Sequence, residues 1–263
     1  MIASEASRIK EKIKVQRNQR RRPSLDDKIL TDWNGLMISS LAKGYRVFNN
    51  PNYLNTARNG FEFIKTNMIA DDYSLLHCYR NGKVAIPGLI DDYSFLTKAC
   101  IDLYEATLNP NFLNYGVGIC RKMIELFWDD ERGSFFATRK DDSDVIVRQK
   151  NLLDGALPSG NSVGLYDLIK IGNYTNDSSL IKKAHKLSSQ LGEMAKKFPI
   201  NLAQFLANHY SLLSENLQIV ILAKEEEPSL DNKIIEYLIN FEHANKSISV
   251  SYTHLTLQTI LLV

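Results

Sequence analysis

Asn50-Pro51-Asn52-Tyr53-Leu54-Asn55 returns 59 residues later as Asn109-Pro110-Asn111-Phe112-Leu113-Asn114. In each copy the proline pushes the residue before it out of the α region, so the motif closes one helical pattern and opens another. The asparagine after each proline, Asn52 or Asn111, is suited to cap the new helix through its side-chain oxygen. Outward from the motif, apolar residues keep the helical period. Met37, Leu41, Tyr45 and Phe48 precede the first copy, and Leu54, Ala57, Phe61, Ile64 and Met68 follow it. Leu113, Val117, Cys120, Ile124 and Phe127 follow the second. A weaker third round runs from Ser162 to Ile171 and, beyond the turn Asn173-Tyr174-Thr175-Asn176-Asp177, through Leu180, Ala184, Leu187, Leu191, Met194 and Phe198.

The repeating unit is helix, short turn, helix, then an excursion, at 69–91, 128–158 and, shortened, 199–201. The second excursion contains Gly133-Ser134-Phe135-Phe136-Ala137-Thr138, which alternates as a short strand does. A single hairpin cannot bury its own apolar face, so neighbours must stack. Open helical solenoids use repeats of roughly 34 to 47 residues with uniform loops. Longer repeats whose loops share one face favour closure towards a ring. The expected fold is all-α, a partial (α/α)6 toroid of helical hairpins over 26–215, led by a basic helix and linker over 1–25. After it, Gln218 to Ala223 and Ser247 to Ser251 read as strands around a helix from about Ser229 to Phe241, a small βαβ appendage over 216–250. The uncharged run 251–263 looks like read-through of non-native sequence and is set aside, His254 included.

Composition narrows the classes. The chain has 263 residues, 44% hydrophobic and 24% charged, within the ordinary globular range. No apolar run approaches the roughly 20 residues that span a bilayer, and no secretory leader pattern is visible. Cys78, Cys100 and Cys120 are widely spaced, form no Cys-x-x-Cys pair, and read as reduced thiols of a cytoplasmic protein. Eight Lys/Arg and two Glu within 1–25 make a basic leader on an acidic body. With no aromatic residue among those charges to stack on bases, a solvated helix is favoured over nucleic-acid binding.

Five stretches, taken together and in order, carry a resemblance. They are Arg22-Pro23-Ser24-Leu25-Asp26-Asp27-Lys28-Ile29-Leu30-Thr31, Trp33-Asn34-Gly35-Leu36-Met37, Gly88-Leu89-Ile90-Asp91-Asp92-Tyr93, Tyr104-Glu105-Ala106-Thr107 and Asp154-Gly155-Ala156-Leu157-Pro158-Ser159-Gly160-Asn161-Ser162. Over about residues 15–245 the chain resembles the helical part of the thioredoxin-domain proteins typified by spermatogenesis-associated protein 20. The resemblance implies a thioredoxin-like domain in the full-length protein, followed by a toroid similar to the six-hairpin glycosidases and to N-acylglucosamine 2-epimerase. The chain itself is expected to begin partway round such a ring, with three to four hairpins.

Candidate chemistry gathers where excursions meet helices. Asp92 and Asp154 each end a long excursion just before a hairpin. They form the candidate catalytic pair, since glycoside hydrolysis needs two carboxyls roughly 5 to 9.5 Å apart. One member of Asp91-Asp92 is expected to cap its helix while the other is presented with a raised pKa. Asp32 is read as the cap of the first hairpin helix. Trp33 is weighed evenly between a sugar platform and core packing, and Asn34 is suited to reading hydroxyls. Asp27, His77, Arg80, Tyr93, Ser159 and Asn161 complete the candidate binding set. His77 is the one histidine expected on the rim, which weakens an epimerase reading that wants two proton-transfer groups. No ligand spacing marks a metal site and no cofactor motif is present. The expected partner is a small polar ligand, a carbohydrate, with a non-catalytic scaffold for a redox domain as the alternative.

Overall fold

The computed structural model describes residues 2–222 and 245–251, with Tyr237, Leu238, Phe241 and His243. Among these are eight α-helices. The first, α1 (Ile2–Asn18), is the basic leader, and its side chains from Ser4 onward are all exposed. Three hairpins follow: α2 (Thr31–Phe48) with α3 (Pro51–Met68), α4 (Ile90–Thr107) with α5 (Pro110–Phe127), and α6 (Gly160–Thr175) with α7 (Ser178–Lys197). A 3-10 turn, Pro199–Leu202, leads into α8 (Ala203–Leu213). Helix α4 packs between α2 and α6, and α6 between α4 and α8, while α3, α5 and α7 back them as an outer layer. This is the alternating inner and outer arrangement of an α/α toroid.

The repeated motif works one residue earlier than its sequence suggests. Asn50, not Asn52, caps α3, its side chain accepting the Asn52 N–H, and Pro51 occupies the first helical position. Asn109 does the same for α5 through Asn111 N–H, and Asp177 caps α7. Asn49, Leu108 and Asn176 take the left-handed conformation that closes the preceding helix. Asp32 is not a cap: it lies in the first turn of α2, whose capping position is Leu30.

The apolar stripes bury the outer layer. Leu54, Ala57, Phe61, Ile64 and Met68 are all buried, as are Leu180, Ala184, Leu187 and Leu191. The α2 stripe is displaced: Met37 and Phe48 are exposed, and the packed face is Thr31, Gly35, Ile38, Ser39 and Ala42. On α2 small residues mark the closest contact, whereas α4 and α6 also bury large ones such as Phe95 and Leu168. At Gly35 a Cβ would stand 2.8 Å from the Phe95 carbonyl carbon, so only glycine lets α2 approach α4 this closely. Helix α4 is in consequence buried along nearly its whole length.

Three small sheets fill the excursions. β1 (Ile29–Leu30), β2 (Leu76–Arg80) and β3 (Lys83–Pro87) are antiparallel in that order. The β2–β3 hairpin turns through Asn81 and Gly82, both at positive φ. β4 (Trp128–Asp129) pairs with β5 (Ser134–Phe135), within the segment whose alternation reads as a strand. β6 (Leu217–Leu222) pairs in parallel with β7 (Lys246–Ser251), whose Ile248 carbonyl accepts from Tyr104 at 2.9 Å near the C-terminal end of α4. The helix expected between these strands and the run beyond Ser251 lie outside the described residues.

Replacing Gly35 with alanine should cost about 1–3 kcal/mol, because the methyl group must push two backbones apart. Urea denaturation measures it, and an unchanged midpoint would show that the α2–α4 spacing has slack.

Candidate functional site

The short turns join inner to outer helices, so the long excursions deliver the N-termini of the inner helices to one rim. Carboxylates stitch that rim together. Asp92, fully buried at the start of α4, accepts Asp32 N–H at 3.0 Å on Oδ1 and Leu89 N–H at 2.8 Å on Oδ2. His77 on β2 places Nδ1 at 3.0 Å from both of its oxygens. Asp91, beside it, accepts Gly160 N–H at 2.8 Å and so joins α4 to α6. A Cβ on Gly160 would fall 2.5 Å from that Asp91 oxygen, so this contact requires glycine. Asp154 accepts Ser159 N–H at 2.9 Å and Gln204 N–H at 2.9 Å, joining α6 to α8.

Burial sets the proton affinities. The Asp91 carboxyl is raised from its ordinary 3.8 to about 6, chiefly by desolvation, against the opposing pull of the Gly160 N–H and with help from Asp32 and Asp92. Asp32 is also raised, by burial and then by the negative charge of Asp92. The His77 imidazole is raised by its hydrogen bond to Asp92. Asp91 opens onto a groove of about 400 Å³ shared with Lys150, Asn151, Leu153, Leu157 and Ser159. A carboxyl that gives and takes protons near neutrality, at the wall of a groove, is suited to general acid–base work.

Ligand atoms of Asp32, His77 and Asp92 lie within 4.8 Å of one another, a spacing compatible with a divalent cation. Both Asp92 oxygens already accept N–H bonds, however, and a cation would have to displace them. The residues fit an oriented imidazole–carboxylate pair better than a metal centre.

The candidate residues divide. Asp92 and His77 come together, but Asp92 is the buried acceptor and Asp91 is the carboxyl with the raised pKa, the reverse of the sequence assignment. Asp154 is engaged by backbone N–H groups and is a stitch between helices. Trp33 is 61% exposed, which removes core packing as its explanation. Asn34 donates to Leu30 O at 2.8 Å, within its own helix start. Asp27 pairs with Arg80 at 2.6 Å on the surface. Tyr93 belongs to the core: it is fully buried, its hydroxyl accepts Leu75 N–H, and its ring meets Phe127. Ser159 caps α6, and Asn161 is buried with its amide spent on Phe135 and Asn151. Sequence reasoning points to the Asp91-Asp92 pair but takes Asp92 as the presented member, and it misses Lys150 and the role of Asp32. The signal for Asp91 was positional: the third residue of a helix reaches back to the capping N–H, so Asp92 takes that task and Asp91 stays available.

No protein-family model matches the chain. Over 246 residues it is 26% identical to spermatogenesis-associated protein 20 of Homo sapiens, which covers 90% of this chain and 31% of that protein. The chain is similar to spermatogenesis-associated protein 20 over most of its own length. The Mus musculus protein of that name is 28% identical over 221 residues, 80% of this chain and 28% of its own length. The chain thus spans about a third of the curated relatives it matches. Among solved structures it is similar to a GH76 alpha-mannanase of Bacteroides thetaiotaomicron, with a TM-score of 0.55 and 14% identity over 72% of this chain and 54% of that one. It is also similar to a cellobiose 2-epimerase of Bacillus thermoamylovorans, with a TM-score of 0.51 and 13% identity over 62% and 44%. At these identities the likeness establishes the six-hairpin glycosidase type of toroid.

Because folding raises the Asp91 pKa, the native state holds that proton more tightly than the unfolded chain. The group therefore costs nothing below its unfolded value, and its ionisation penalises the fold progressively as pH rises from about 4 to about 6. Asp91→Asn keeps an acceptor for Gly160 and removes the penalty. It should be more stable than the parent by on the order of 2–3 kcal/mol at pH 7 and by little at pH 4. Denaturation across that range checks it; a difference independent of pH would contradict the assignment.

Proposed function

We propose that the rim formed by the starts of α2, α4 and α6 binds a carbohydrate or a similar polyhydroxy ligand and performs acid–base chemistry on it. One observation carries this reading: the Asp91 carboxyl, poised at about 6, lines the 400 Å³ groove one residue from the His77–Asp92 pair. A general acid or base is most effective with a pKa near the working pH. The exposed Asn151 side chain on the same groove suits hydroxyl recognition, while Lys150, held by Asp129 and Ser134, and Ser159, which caps α6, shape its wall. The solved neighbours are carbohydrate enzymes. One is an alpha-1,6-mannanase of a Salegentibacter species, with a TM-score of 0.52, whose inactive variant replaces two consecutive aspartates with asparagine. Asp91 and Asp92 are likewise consecutive.

In this reading Asp91 exchanges protons with the ligand. Asp92 holds His77 in one orientation, and Trp33 offers an exposed aromatic face at the first turn of α2. In the full-length protein the helical body accompanies a thioredoxin-like domain in the cytoplasm. The cysteines of this chain are free and buried, and burial pushes the Cys120 thiol well up, which disfavours the reactive thiolate. No described helix is long and apolar enough to cross a membrane.

Thermal-shift titration with mannosides, cellobiose and glucose, followed by turnover assays on any sugar that binds, tests the proposal. At least one sugar should raise the melting temperature, and Asp91→Asn should retain binding while losing about a hundredfold or more in turnover. If no sugar shifts the transition, the scaffold reading replaces it.

A further inference from the structure

The opposite ends of the inner helices carry a second constellation. Asp102 on α4 is fully buried and accepts Lys98 Nζ at 2.8 Å, the Tyr166 hydroxyl at 3.2 Å and the Ser39 hydroxyl. The same carboxylate has Lys43 Nζ at 3.9 Å. Two ammonium groups therefore share one carboxylate. One turn on, Glu105 is paired with Arg46 at 3.0 Å, Lys170 at 2.7 Å and the Tyr174 hydroxyl at 3.0 Å, and it attracts Lys43 only weakly, as the last of the charges acting on that ammonium. Asp167 is fully buried with neither oxygen hydrogen-bonded, and desolvation raises its carboxyl well above the ordinary value; even counted as ionised with Asp102 and Glu105, it leaves Lys43, Lys98, Arg46 and Lys170 in excess among the described residues. Lys43 makes the longer contact to Asp102 and its side chain is half exposed, so the surplus positive charge resides there.

Lys43, Arg46, Glu105, Tyr166, Lys170 and Tyr210 line a cavity of about 470 Å³. The half-exposed Lys43 ammonium faces this open volume with Arg46, Lys170 and Lys246 beside it, an excess of positive charge that an anion would complement. Asp102 draws the Lys43 proton affinity up, but burial and Lys98 together outweigh it and leave the ammonium below the ordinary lysine value. An anion against Lys43 reverses that balance.

We propose that this cavity is a binding site for a small anionic group, phosphate or carboxylate, with Lys43 as its principal contact. It stands apart from the acid–base rim, because Lys43 lies ten residues from Trp33 along α2, about 15 Å of helix rise. The ligand is a small metabolite-sized anion, which the cavity volume admits and a polymer would overfill.

Isothermal calorimetry of the whole chain with inorganic phosphate and, separately, succinate in low-salt buffer tests the site. Saturable binding of at least one anion is expected, weakening about tenfold in Lys43→Met, retained in Lys43→Arg, and falling with added salt. In the alkaline range binding should take up protons, seen as heat that depends on the buffer, and this uptake should vanish in Lys43→Arg because guanidinium stays charged. The succinate arm separates carboxylate from phosphate preference. Asp91→Asn should leave anion binding unchanged, so failure here is distinct from failure of the sugar site. Absence of binding by both anions, or equal binding in Lys43→Met, overturns the proposal.

Discussion

The carboxylate of Asp92 is the fixed point of the rim. It has no access to water, so it survives only because N–H groups replace its hydration. Those donors come from three places: the first turn of α2, the residue that opens α4, and the β2 imidazole. Satisfying one buried charge thereby sets the mutual position of two inner helices and a strand. Asp91 and Asp154 repeat the device at the next two junctions, Asp91 through one oxygen on Gly160 N–H and Asp154 through both of its oxygens on Ser159 and Gln204 N–H. Truncating Asp92 would leave three polar donors buried without acceptors, a far larger loss than any single hydrogen bond.

Helix polarity agrees with the charges at both ends of α2 and at the start of α4. Helix N-termini favour negative charge and C-termini favour positive charge. Asp32, Asp91 and Asp92 sit in first turns, whereas Arg46 lies in the last turn of α2 with Lys43 one turn before it. The carboxylates of Asp32, Asp91 and Asp92 thus gather at one end of the inner layer and Lys43 and Arg46 at the other, and each end opens onto its own cavity.

The hairpin repeat was legible because proline and asparagine act locally, and because an outer helix buries one stripe of large residues. Leu54 to Met68 on α3 is such a stripe. The inner helices were harder, since α2 packs through Gly35, Ser39 and Ala42, which no hydrophobic count selects. The β2–β3 hairpin lies in the stretch 69–91, which reads from sequence only as an excursion, although Asn81-Gly82 is a turn signal within it. At the site, residue types pointed to the right segments and not to the right roles. Which of two adjacent aspartates caps depends on helix phase, fixed only once Leu89 is known to open α4. That Tyr93 and Asn161 serve the frame, not the groove, follows from partners distant in sequence, Leu75 for the first and Phe135 and Asn151 for the second, while Ser159 both caps α6 and lines the groove.

Asn161 has a consequence beyond its own contacts. Its amide clamps Phe135 and Asn151, while Arg148 grips the Thr138 carbonyl and reaches the Leu126 carbonyl at 3.0 Å. Both feet of the long excursion are thereby anchored, and its outer arc around Ile146, which is 99% exposed, hangs from them. Such an arc can be lengthened, shortened or exchanged without disturbing the helices beneath. It is where this scaffold can acquire new surface chemistry while keeping its frame, and where an inserted fluorophore or affinity tag would be tolerated.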